Sequence, residues 1–376
     1  MTFDPAARGR GRILLMNRAE TRGAIMSEAT TNPFGGRPGG GVTLPEYYRP
    51  WPSIQNRNMF LPGTEVLPEH EMRITFLGSS PWPPNELQTG TSILVELGNG
   101  TMQPRRFFFH LGNGGVGHAI AMQLPPALIN DIFISHLHAD HYADLPYMYP
   151  FRAFSGGFRA LRVYGPSGRT PELGTEAMIA NMRRMNRWHE ENFDSCPIGD
   201  GFEIEVHEFD WRERNGIAYQ QDGVTVRHWP RSHVKDGASA YRLDWEDAGL
   251  SFAWTGDGRP DELSVEFGRG ADVFVSEGTV DTPWLTGLKV GAPAKLWEYT
   301  MDIDHSPYYA AGYMFDQVQP RIQQEQFVRG LEIDPALSYP PDVYRSPTQE
   351  WPGVSIDPRE MLAQRGIEVD PEWRRP

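Results

Sequence analysis

Cysteine is nearly absent from the 376 residues: Cys196 stands alone, so no internal disulfide forms and a reducing compartment is the expected setting. No motif surrounds that thiol to mark it as a nucleophile, and burial of a free cysteine is its ordinary fate. Long apolar runs are missing too. Nothing approaches the roughly 20 residues that a spanning helix requires. The opening Met1 to Arg22 offers only Ile13-Leu14-Leu15-Met16, too short for the apolar segment of a signal peptide. The expectation is a cytoplasmic protein with no membrane contact. Basic residues are the third shortage, 35 Lys and Arg against 49 Asp and Glu, for a formal net charge of −14. Nucleic-acid binding rests on clustered cations that neutralise phosphates. The one arginine-rich stretch, Arg152, Arg159, Arg162 and Arg169, then Arg183, Arg184 and Arg187, reads at least as well as solvated helix and loop charge. A small-molecule substrate is expected rather than a nucleic acid.

What the chain does have is a 39% hydrophobic content, enough to core one large α/β domain. Within it the apolar run Ile132-Phe133-Ile134 leads into Ser135-His136-Leu137-His138-Ala139-Asp140-His141. In extended chain residues i and i+2 point the same way, so His136 and His138 present two imidazoles to one ion. Asp140 and His141 lie where the chain turns, able to face a second ion close by. Imidazole and carboxylate donors on an open site suit zinc first, with manganese or iron as substitutes.

The pattern of His136, His138, Asp140 and His141 resembles the His-x-His-x-Asp-His signature of the metallo-β-lactamase fold superfamily, and Ala143-Asp144-Leu145-Pro146 after it is similar to the ribonuclease Z and arylsulfatase-like branch. The resemblance runs from about Met72 to about Arg321. It implies an αββα sandwich, two mixed β-sheets face to face with helices outside, and a binuclear zinc site at strand ends along one edge. His233, which precedes Ala240-Tyr241-Arg242-Leu243, fits the place of a further metal-binding histidine better than His228 does. Thr255-Gly256-Asp257 resembles the strand end whose carboxylate bridges two ions. The resemblance thus implies His136, His138 and His233 for a first ion, Asp140 and His141 for a second, and Asp257 between them. Ser276-Glu277-Gly278-Thr279 and Asp304-His305-Ser306-Pro307 resemble motifs of ribonuclease Z in which a glutamate and a histidine handle protons. Glu277 and His305 take those places, with Asp140 also orienting the attacking water.

Two departures accompany the match. His110 stands where relatives usually carry an aspartate, and is read as a partner of the site's ligands at best or as a packed core histidine. No histidine follows His305, although the family's last metal ligand is a histidine in a late strand.

Four segments are expected: a flexible extension over 1–43, a proline and aromatic strap over 44–71, a catalytic domain over 72–322, and a proline-rich tail over 323–376 that is not sheet. Met16 and Met26 are both plausible true starts. Within the domain a helix is expected over Thr175–Glu190 with Met178, Ile179, Met182 and Met185 on its packing face, and Ser306 is a natural cap for the helix after Pro307. Trp82, Trp229 and Trp284 are candidates to line a pocket. The function expected is a zinc-dependent hydrolase that uses metal-activated water on an ester-type bond of a small molecule: a sulfate ester, phosphodiester or lactone. The alternatives are a ribonuclease Z-type tRNA 3′ endonuclease, or a metal-binding scaffold that has lost turnover. The resemblance also implies a homodimer.

Overall fold

The computed structural model describes residues 12–17, 66–79, 89–233, 237–278, 305–306 and 308–325, with 12–17, 308–309 and 323–325 described by their backbone. Most of the strap, the tail from 326 onward, Trp82 and Trp284 lie outside the described residues.

Phe107-Phe108-Phe109 shows how the chain builds two layers of core from one strand. Successive side chains on a strand face opposite ways. In β4 (Arg105–Phe109), Phe107 and Phe109 therefore enter the core between the sheets while Phe108 joins a second core beneath helices. The first sheet runs in chain order: β1 (Arg12–Asn17), β2 (Glu71–Gly78), β3 (Ser92–Leu97), β4, β5 (Asp131–Phe133), β6 (Leu161–Pro166) and β7 (Ile204–Phe209). Its β2-β3-β4 meander is antiparallel and its other pairings are parallel. The second sheet comprises β8 (Gly216–Gln221), β9 (Val224–Pro230), β10 (Ser239–Trp245), β11 (Leu250–Trp254), β12 (Val273–Ser276) and β13 (Ile322–Glu325), stacked from β13 to β8.

Between the sheets Phe109 packs on Phe252 at 5.1 Å and on Trp254 at 5.7 Å between ring centroids. Each such fully buried ring is worth about 1.5–3 kcal/mol in area removed from water. The outer face of the first sheet is covered by α1 (Gly115–Ala121), α2 (Leu145–Phe154) and α3 (Thr175–Asn192). That of the second is covered by α4 (Glu262–Gly268) and α5 (Tyr308–Val318), whose Ala311, Phe315 and Val318 pack on Ala253 and Phe274. The result is the expected αββα sandwich. Among the described residues no helix is long and apolar enough to cross a membrane.

Several expectations are corrected. Residues 12–17, read as part of a flexible extension, form a strand in register with β2, because Ile13 to Met16 is a short apolar run with an edge to pair against. The tail was expected from 323, yet Ile322–Glu325 pairs in parallel with β12; paired strands tolerate Gln and Glu once the ladder is available. In α3, Ile179 and Met182 are buried but Met185 is 66% exposed, having turned off the packing face. Trp229 is fully buried and donates to Ser264 at 3.1 Å, so it is core, not pocket wall. Apart from these corrections, the Ser306 hydroxyl donates to the Gly258 carbonyl at 2.7 Å and ties two loops of the site together, while Pro307, which follows the expected cap, lies outside the described residues.

Candidate metal centre

The sheet directions bring the chemistry to one edge. β9 and β11 are each antiparallel to β10, so they run the same way, and β12 is parallel to β11. Their C-terminal ends therefore share an edge: His233 follows β9, Asp257 follows β11 and Glu277 follows β12. In the first sheet β5 ends at Phe133 and delivers His136 and His138 before a single helical turn, Ala139–His141. Close approach at this turn depends on glycine. A side chain at Gly112 would meet the Asp140 carbonyl at 2.5 Å, and one at Gly256, whose φ is +60°, would meet Ser135 Oγ at 2.6 Å.

Three overlapping clusters result, in each of which one donor atom per residue lies within 4.8 Å of the others: His136, His138 and His233; His136, His141 and Asp257; and Asp257, Glu277 and His305. Asp140, half-buried, stands 3.5 Å from His141 Nε2. The eight residues read as ligands or proton carriers, His136, His138, Asp140, His141, His233, Asp257, Glu277 and His305, thus meet in one place. His228 does not join them. It is buried in β9 with its ring stacked on Phe209 at 3.7 Å.

The donor set fits a divalent ion. His136 Nε2 and Asp257 Oδ1 are buried and have no hydrogen-bond partner, a costly arrangement for polar atoms unless an ion completes them. Electrostatics agree. Burial holds His136 and His138 below the usual histidine range, favouring the neutral imidazoles that metals bind. Burial alone would raise Asp257, but His141, His136 and His305 hold it well below the carboxylate range. Burial alone would lower His141, but the charge and hydrogen bond of Asp257, with Asp140 and Glu277, carry it upward. Burial pushes Glu277 up to about 7 against the pull of His305. Its carboxylate accepts the Gly258 N–H at 2.7 Å and is paired with His305 Nδ1.

His110 is the residue whose role the sequence leaves open. It is fully buried, with φ of +64°, and lies between Ser135 and His141: its Nε2 is 3.0 Å from the Ser135 N–H nitrogen and its Nδ1 is 2.9 Å from His141 Nδ1. Ser135, at the head of the motif, also places its Oγ 2.8 Å from His110 Nε2 and 2.9 Å from His136 Nδ1. An imidazole after a buried strand and a small hydroxyl before a ligand are the only signals the sequence offers for these partners.

A two-sheet sandwich with an imidazole and carboxylate cluster at one edge defines the metallo-β-lactamase type of fold and site. The beta-lactamase superfamily domain matches residues 117–322; the chain belongs to that family and is a hydrolase of the superfamily. Ribonuclease BN of Escherichia coli is 27% identical over 241 residues, covering 56% of this chain and 77% of that protein. The human short-form tRNase Z structure aligns at TM-score 0.50 and 17% identity, over 68% of this chain and 92% of that one. A metallo-β-lactamase fold protein from Bacillus subtilis aligns at TM-score 0.47 and 15% identity, over 68% and 86%.

Proposed function

We propose that this protein is a zinc-dependent hydrolase of an ester-type bond in a small molecule, a phosphodiester first and a sulfate ester or lactone next. The observation that carries the reading is the three-histidine cluster with its unpartnered His136 Nε2, flanked by Asp257 and the Glu277–His305 pair. His136, His138 and His233 would hold zinc, and Asp140, His141 and Asp257 stand where the resemblance puts a second ion. Bound zinc supplies an acidified water and polarises the electrophile. Asp140, the more accessible carboxylate, orients that water and takes its proton. His305 returns a proton to the leaving group. Glu277, pushed up to about 7, holds His305 in place and shares its proton near neutral pH.

The kinship with ribonuclease BN favours a second reading, a tRNA 3′ endonuclease. Against it stands the net charge of −14. The lone Cys196 suits a cytoplasmic setting. We also propose a homodimer, supported by the apolar side chains that α2 and α3 leave outside, with Tyr147 67% and Trp188 77% exposed. The test is turnover of aryl phosphodiester, aryl sulfate and lactone substrates by zinc-loaded protein, beside cleavage of a precursor tRNA across a salt series. Turnover of the small esters supports the first reading. Salt-sensitive tRNA cleavage alone moves the function to the second, and loss of both overturns each of them.

A further inference from the structure

His136 and His141 leave the same loop with buried rings, yet their hydrogen bonds prepare them oppositely. A backbone N–H can only donate, so the Ser135 N–H, 3.0 Å from His110 Nε2, fixes that nitrogen as an acceptor. In neutral His110 the proton then sits on Nδ1, which faces His141 Nδ1 at 2.9 Å. His110 donates and His141 Nδ1 accepts. With its Nδ1 accepting, the proton that Asp257 draws to His141 sits on Nε2, which faces Asp257 Oδ2 at 3.1 Å and donates to it.

The chain of bonds runs one way on the other side as well. Ser135 Oγ lies 2.8 Å from His110 Nε2, an acceptor, so the hydroxyl donates there. It is then free to accept from His136 Nδ1 at 2.9 Å. His136 carries its proton on Nδ1 and keeps Nε2 open, the same Nε2 that is buried without a partner. A single directed relay, His136 to Ser135 to His110 to His141 to Asp257, thus presents an open nitrogen at one end and closes the ring nitrogen at the other. Reversing His141 would place two buried donors against each other, either between His110 and His141 or between His110 and the Ser135 N–H. The last strand of the second sheet reinforces the point: β13, Ile322-Gln323-Gln324-Glu325, brings no imidazole to this edge.

From this we infer that the centre holds one divalent ion, on His136, His138 and His233, and that His141 is not a ligand but a hydrogen-bond donor that His110 locks onto Asp257. His110 is therefore a positioning residue that sets metal stoichiometry. The inference rests on the reading of the three-histidine cluster as a zinc site.

The experiment counts zinc per chain by native mass spectrometry and elemental analysis after saturation with zinc alone, in the wild type and in His110→Asp and His110→Asn. Both replacements tolerate a left-handed backbone. Aspartate offers oxygens that accept from both the Ser135 N–H and His141 Nδ1–H, which frees His141 Nε2, whereas asparagine offers its one oxygen to the Ser135 N–H and an N–H to His141 Nδ1, as His110 does, and should keep one zinc. The expected result is one zinc in the wild type and two in His110→Asp. Two in the wild type, or one in a folded His110→Asp, overturns the inference. No zinc in the wild type overturns the metal reading itself and is thereby distinguished. Should neither variant fold, long-range nitrogen–proton NMR of the zinc-free wild type decides: protons on His110 Nδ1 and His141 Nε2 uphold the relay, and protons on His110 Nε2 and His141 Nδ1 overturn it.

Discussion

Glu96 and Asp257 are both carboxylates with no more than 3% of their surface exposed, and they differ in what surrounds them. Glu96, on β3, is closed by its neighbours across the sheet: one oxygen receives Arg106 Nε at 3.0 Å and the other receives Arg73 Nε at 2.7 Å. Asp257, at a strand end, has one oxygen against His141 and leaves Oδ1 with no partner among the described residues. Buried charge in mid-sheet is neutralised by the fold itself and contributes to which strand lies beside which. Buried charge at the edge is left open, so its completion falls to something the chain binds. The contrast separates a polar group that serves stability from one that serves chemistry, a distinction that burial alone does not make.

Four changes test the contrast. The largest effect is expected from His136→Ala, which removes the open nitrogen: zinc is no longer retained through gel filtration, and turnover falls by about 10³-fold or more. Retention of zinc at wild-type level would break the contrast from the site side. Next, Glu96→Ala leaves two arginines buried without their carboxylate and lowers unfolding free energy by about 3–5 kcal/mol in denaturant titration. Zinc content of the folded fraction stays unchanged; a loss of zinc would show that the two clusters are not separable. Glu277→Gln, which keeps shape and removes the ionisable oxygen beside His305, lowers kcat about 10²-fold with little change in KM. An unaltered kcat would remove the pair from the proposed proton path.

The smallest effect is a pH dependence set by His228, which packs away from the centre against Phe209 and faces Asp210 and Glu213. Burial lowers this histidine to about 4. Below pH about 6.5 the unfolded chain takes up a proton that the folded chain refuses. His228 thus lowers stability as pH falls, by at most about 1.4 kcal/mol per pH unit down to pH about 4, and has no effect above about 7. His136, His138 and His110 titrate in the same direction, so the measurement compares metal-free wild type with His228→Phe across that window. The variant's curve should be the flatter, and parallel curves would refute the assignment.

Much of this was legible in the sequence where local pattern carries it. The apolar run before the histidine loop, the spacing of His136 and His138, and the aspartate closing a buried strand each announce themselves within ten residues. What escaped depends on pairing across the chain. β1 and β13 are strands only because β2 and β12 offer them an edge. His110 and Ser135 lie 25 residues apart, and nothing local says that one ring nitrogen accepts from the other's backbone. Trp229 and Met185 depart from their local pattern for a related reason, since which way a side chain faces is decided by the layer beneath it.

The pairing of β1 with β2 bears on how the chain is made. Met26 lies beyond β1, so translation begun there yields a protein whose first sheet ends at β2. Among the described residues nothing else pairs with that side of β2. An uncovered strand edge is a template for another chain. In such a product the edge of β2 that β1 fills in the longer chain would be offered for pairing, with the imidazole and carboxylate edge of the sandwich unchanged.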